Sequence, residues 1–363
     1  ALMTEYEEFM HLHQDWMEDY AVFRLLKTNH GERPWHEWGQ DNVHRDALAL
    51  QKVRNDYRNA IITTQVTQFL FDRQWRELKL YASSRGVSLF GDIPIYIALD
   101  SADAWAHREM LLIDNDGTPS HVSGVPPDYF SEDGQLWGNP LYDWDYHEQT
   151  GYQWWIERMR HIGRQTDLVR IDHFRGFESF WSVPFGQETA KIGEWVPGPN
   201  ELLFEAMKKS LGDLPIVAED LGVITPEVDA LRLGQGLPGM VVLQFEVGDA
   251  NFEMETIAAN SVCYTGTHDN DTTLGWFLGT GNDTRSEKEV MDSQATVLRK
   301  TGGTAETIHE DMIRLAFSSN STLAVAPMQD FLGLGSEARI NTPGTTKDNW
   351  RWRMKEGALD SAK

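Results

Sequence analysis

The chain has 363 residues, a formal charge of −24 and a pI near 4.8. This length buries a large core and is compatible with one α/β barrel or two ordinary domains. The charge repels nucleic-acid backbones and anionic membrane surfaces, so neither is an expected partner, and a neutral or cationic substrate is.

In chain order, residues 4–30 carry apolar and aromatic side chains (Tyr6, Phe9, Met10, Trp16, Tyr20, Phe23) at helical spacings, until Asn29-His30-Gly31 and Pro34 break the pattern. A second helical pattern runs from about Arg45 to Ser84 and stops at Arg85-Gly86. Beyond Gly86 one grammar repeats: a short apolar run ending in polar residues, then a helix-like stretch. The runs are Val87 to Ile97, Leu168 to Asp172, Ile216 to Glu219, Met240 to Phe245, Val262 to Thr267 and Thr322 to Met328. Such alternation predicts parallel strands with helical crossovers and polar chemistry at the strands' C-terminal ends. A TIM-type barrel is the preferred architecture, with residues 1–85 a helical region leading into it and a doubly wound open sheet as the alternative. Residues 111–145 depart from the grammar and read as an inserted aromatic loop rich in Gly, Pro and Asn, a length that is usually functional. No linker divides the chain, so residues 1–363 read as one domain.

Within Leu168 to Asp172 the two-residue period puts Arg170 and Asp172 on one face. Glu219 and Asp269 close two further runs. Three carboxylates at three strand ends suit glycosidic-bond chemistry, where a retaining enzyme needs a carboxylate nucleophile and a carboxylic acid about 5 to 5.5 Å apart. Asp172 is the expected nucleophile, because an adjacent cation such as Arg170 lowers a carboxyl pKa by roughly 1 to 3 units. Glu219, with no basic residue near it in sequence, suits the acid/base, whose pKa must rise. Asp269, after His268, would grip sugar hydroxyls and stabilise the oxocarbenium-like state. Among the 14 tryptophans and 10 tyrosines, Trp137 and Tyr129 stand in the loop region and are the expected sugar-facing aromatics.

Other motifs carry less. Asp114-Asn115-Asp116-Gly117 opens like a calcium loop but lacks its later glycine and glutamate, and reads as a turn. There is no phosphate-cradling glycine loop with its lysine, and His11 and His13 fit no zinc spacing, so neither a metal nor an organic cofactor is expected. Cys263, the single cysteine, lies in an apolar run and reads as a buried, inert hydrophobe. No export signal opens the chain and no run spans a bilayer, which suits the cytoplasm, with a plastid stroma also compatible.

The motifs Leu168 to Gly176, Ala218 to Gly222 and Gly266 to Thr272 resemble those of 4-α-glucanotransferases of the amylomaltase, or disproportionating enzyme, family. Gly91 to Ile95, Gly124 to Ser131, Gln135 with Trp137 to Pro140, and Gly335 to Arg339 with Asn341 and Pro343-Gly344 fit the same family in the same order. The resemblance implies an α-amylase-like (β/α)8 barrel with insertions, of which six strands are recognised here, acting on maltooligosaccharides and other α-1,4-glucans by retaining double displacement. It implies Asp172, Glu219 and Asp269 as nucleophile, acid/base and transition-state stabiliser. Arg170 and His268 are implied as sugar-contacting partners, Tyr129 as part of a loop overhanging the cleft, and Asp92, Gln135, Trp137 and Asn341 as further substrate contacts. Family members carry upstream strands that this chain begins too late to include. An α-amylase-type hydrolase and a catalytically silent glucan-binding fragment therefore stand as alternatives.

Overall fold

The computed structural model describes residues 2–127, 131–213, 215–280 and 285–360. Their contacts group into two compact units, Ala1–Gln235 and Gly236–Lys363.

The first unit opens with helices Leu2–Leu12, Met17–Asn29, Ala47–Asp56 and Arg58–Ser84. The two helical patterns are thus each broken once, around His13 to Trp16 and at Tyr57. Asp46 starts the third helix by accepting from the amides of Leu48 and Ala49, satisfying donors the helix cannot. The helices close over a core that includes Met17, Val22, Trp35, Phe69 and Trp105. Trp35 and Trp105 are fully buried, and each indole N–H finds a carbonyl, of Leu99 (2.6 Å) and Asn42 (2.8 Å) respectively.

Strands β1 (Phe90–Pro94), β2 (His121–Val125), β3 (Gln135–Pro140), β4 (Leu168–Asp172), β5 (Ser179–Pro184), β6 (Glu194–Pro197) and β7 (Ile216–Ala218) follow. β1, β4 and β7 form a parallel sheet in that order, with Asp92 opposite Arg170, Pro94 opposite Asp172, and Ile171 opposite Ala218. Val169 and Ile171 point into the apolar layer, at 4% and 0% exposure, leaving Leu168, Arg170 and Asp172 to the other face as period 2 requires. Gly91 is needed in β1 because a Cβ there would lie 2.5 Å from Cγ2 of Thr166.

The segment expected as an irregular loop over 111–145 departs from that expectation, since it holds β2 and β3. With β5 and β6 they make an antiparallel sheet ordered β3–β2–β5–β6. β2 is paired on both sides, and its partner β5 lies some sixty residues further on, so its order comes from tertiary pairing that local turn chemistry hides. Asp114 does make a turn, its carboxylate accepting from the amides of Asp116 (2.9 Å) and Thr118 (2.8 Å).

The second unit contains β8 (Gly239–Val242), β9 (Ser261–Tyr264) and β10 (Leu323–Val325), parallel and ordered β10–β9–β8. Helices Thr273–Leu278, Glu287–Thr301 and Ile308–Phe317 pack with the sheet around Cys263, Phe277, Val297, Ile308 and Met312. Ser286 and Glu289 close a capping box at the start of the second of these helices. Cys263 is fully buried, and burial pushes its thiol up to about 11, the inert state expected of it. Each of the six apolar runs holds a strand, although the runs from Met240 and Thr322 end early, with Leu243–Glu246 turning helical and Met328 opening the helix Met328–Phe331. Among the described residues no helix is long and apolar enough to cross a membrane.

Candidate active site

In the first unit Asp92 and Arg170 stand midway along β1 and β4, Asp172 ends β4, and Glu219 comes just after β7. Arg170 is 8% exposed and forks between two strands. One terminal nitrogen donates to both oxygens of Asp92 (3.0 and 2.8 Å), and the other donates to Oδ1 of Asp172 (2.7 Å). A planar guanidinium suits this fork in a way a lysine ammonium does not. Asp92 is thereby tied to Arg170 across the sheet.

Glu219 follows β7 directly. Its Oε2 accepts from the amide of His173 (2.7 Å) and its Oε1 from the amide of Leu221 (3.0 Å). Its own amide donates to Ile171 (3.0 Å), and its carbonyl accepts from Phe174 (3.1 Å). The carboxyl is therefore fixed by the chain that also bears Asp172. Burial pushes its pKa up to about 7 and the negative charge of Asp172 adds to the rise, outweighing the pull of Arg170 and the two amides.

His173 turns the chain away from the end of β4 with φ 58°. Burial drives its imidazole down to about 3, with the charge of Arg175 adding, so it is neutral at physiological pH. Its edge meets Trp137, ring centres 4.7 Å apart and planes perpendicular, and Trp137 donates to Oε1 of Gln135 (3.1 Å). Trp137 and Gln135 are thus linked to the strand end that carries Asp172. Tyr129 lies outside the described residues.

In the second unit Asp269 follows β9 on a turn secured from several sides. Thr267 donates through its amide and hydroxyl to Asn270 (2.8 Å each). Buried Asp330 accepts from the Thr265 hydroxyl (2.7 Å) and from the amide and hydroxyl of Thr273 (2.8 Å each). The Asp269 carboxylate accepts from the Asn341 side chain (2.6 Å) and lies 3.3 Å from Nε2 of His268. Arg339 donates to the Asp269 carbonyl (2.6 Å) and to the Asn341 carbonyl (2.8 Å). Asn341 and His268 therefore gather on Asp269. His173, whose amide orients Glu219, and Arg339, which holds the Asp269 carbonyl, stand inside the motifs Leu168 to Gly176 and Gly335 to Arg339 without any sequence signal that marks them as site residues. Among the described residues no cluster of three or more His, Cys, Asp or Glu could hold a metal ion.

A family model described as 4-alpha-glucanotransferase matches residues 1–359. The chain belongs to the 4-alpha-glucanotransferase family. A 4-alpha-glucanotransferase of Synechocystis sp. is 49% identical, with 99% of this chain aligned to 71% of that one. A 4-alpha-glucanotransferase of Thermus thermophilus is 46% identical, covering 95% of this chain and 69% of its own length. The structure of amylomaltase from Streptococcus agalactiae in complex with acarbose superposes with a TM-score of 0.92 at 36% identity, over 98% of this chain and 71% of that one. The α/β class of this glucanotransferase agrees with that match.

Arg170→Ala separates architecture from chemistry in this family member. It leaves Asp92 and Asp172 facing each other without the cation between them and removes its hydrogen bonds to both. The carboxylates are 41% and 45% exposed, so water relieves part of the loss. The expected cost is roughly 2 kcal/mol, read as a lowered urea midpoint, together with loss of nearly all transfer activity.

Proposed function

We propose that this enzyme transfers α-1,4-glucan segments between maltooligosaccharides through a covalent glycosyl-enzyme on Asp172. The observation that carries the reading is the contrast between two neighbouring carboxyls. One is paired with Arg170, while the other, Glu219, is pushed up to about 7. Pairs of titratable groups with different environments are how one site runs acid and nucleophilic chemistry at neutral pH.

In the first step Asp172 attacks the anomeric carbon of the donor. The glycosidic C–O bond breaks, and the proton of Glu219 goes to the departing 4-oxygen. In the second step Glu219, now a carboxylate, takes the proton of an acceptor's 4-hydroxyl. That oxygen attacks the anomeric carbon and the bond to Asp172 breaks, so configuration is retained over two inversions. Asp269, with His268, holds sugar hydroxyls and stabilises positive charge at the anomeric centre. Tyr129, Gln135 and Trp137 are assigned to sugar contact, and Asp92 and Asn341 act there through Arg170 and Asp269. We take the parallel strands as part of a (β/α)8 barrel forming one catalytic domain. An aqueous, reducing compartment, cytoplasm or plastid stroma, suits a protein with one buried thiol.

Maltotriose fed alone tests the reading. Glucose together with maltooligosaccharides longer than the substrate is the expected product pattern, and reducing ends that rise with no longer product would refute transfer. The pH profile tests the acid: kcat/KM should fall about tenfold per pH unit above about 7, because deprotonated Glu219 cannot protonate the leaving oxygen.

A further inference from the structure

We infer that Trp350 is an aromatic platform for the glucose unit adjacent to the one held by His268 and Asp269. This rests on the glucanotransferase reading and adds a binding residue to it. Trp350 is 58% exposed, yet its ring lies 5.1 Å from that of His268, tilted by 38°. An indole left open to solvent beside a polar sugar-contacting pair offers a flat apolar face. The C–H face of a glucose ring is also flat and apolar, with its hydroxyls at the rim.

The backbone holds the indole there by an unusual route. Trp350 has φ 61° and Asp348 φ 62°, a left-handed conformation that bulky side chains rarely adopt and that clusters where function requires it. The Trp350 amide donates to the Ile340 carbonyl (2.7 Å), and Asn349 accepts from the amide of Thr342 (3.0 Å). The loop therefore folds back onto the residues next to Arg339 and Asn341, which grip Asp269. Platform and carboxylate are fixed to the same stretch of chain, so a ring stacked on Trp350 has a defined offset from the ring at Asp269. Such rigid aromatic surface adds affinity at little entropic cost.

Steady-state transfer from maltotriose should be compared in the wild type, Trp350→Ala, Trp350→Leu and Trp350→Tyr, with thermal melts to establish folding. KM is expected to rise about 10- to 100-fold in the alanine and leucine variants with kcat held within about threefold, the signature of lost uniform binding. Tyrosine should restore KM to within about threefold of wild type, since it keeps a flat ring. If alanine proves unfolded, the leucine and tyrosine pair decides, because both keep bulk and only one keeps the aromatic face. Unchanged KM in the leucine variant, or a fall in kcat at constant KM, overturns the platform and leaves Trp350 a support for His268. A wild type that neither binds nor transfers maltotriose overturns the transferase reading itself, and the platform with it.

Discussion

Asp172→Asn is expected to lower kcat for transfer from maltotriose by at least about 10⁴-fold while the protein stays folded and binds glucan. The amide is isosteric, and its oxygen can still accept from Arg170, which keeps both bonds to Asp92. Stability should change by less than about 1 kcal/mol. An amide oxygen is too poor a nucleophile to open an acetal, so chemistry fails where binding does not. A second signature comes from charge. Asp172 helps raise Glu219, and removing its negative charge should bring Glu219 back from about 7 toward ordinary carboxyl values, visible as a shifted titration of its carboxyl resonance. Near-normal turnover in this variant would move the nucleophile elsewhere.

Glu219→Gln should lose transfer between unactivated glucans by a similar factor, but for another reason, and an activated donor tells the two apart. A glycosyl fluoride leaves without a proton, so the first step should survive in Glu219→Gln and stall at the covalent intermediate, because the second step lacks its base. Mass spectrometry should then find one glucan fragment added to Glu219→Gln and none added to Asp172→Asn. The variant also has a thermodynamic sign. A carboxyl whose folded pKa is about 7 against an ordinary 4.5 costs nothing at low pH, and the folded state loses stability as pH rises from 4.5 through 7. That loss is on the order of 1 to 3 kcal/mol after allowing for partial solvent access. Glutamine removes the titration, although its NH2 must face an amide that a carboxylate oxygen now accepts from. The melting temperature of the variant minus that of wild type should therefore be more positive at about pH 8 than at about pH 5, and an equal difference at both would mean Glu219 is not raised.

The parallel strands were legible because their signal is local: Leu168 to Asp172 alternates, ends in polar residues and is β4 to the residue. The same period is enough to put Arg170 beside Asp172. What Arg170 does with Asp92 was not readable, since 78 positions separate them and only strand register brings them opposite. The rise of Glu219 had a sequence pointer in the absence of nearby bases, yet its cause is burial and the charge of Asp172, which are tertiary facts. The antiparallel sheet is hidden in the sequence because β2 and β3 are rich in Gly, Ser, Asn and Pro, residues whose local preference is for turns. Their pairing with β5 overrides that preference.

The bond from Arg170 to Asp92 also favours one register of β1 against β4. Sheet pairing that slips by one residue sends every side chain to the opposite face, and β1 carries little apolar patterning of its own to resist such a slip. With Asp92 out of reach, a slipped β1 would leave a buried guanidinium short of a partner and the Asp172 carboxylate beside an arginine no longer held from both sides. A misaligned molecule would thus be less stable. On the proposed role of Asp172, a chain that regains activity after refolding has β1 and β4 correctly aligned, so recovered activity sets a lower bound on the fraction of correctly registered sheets.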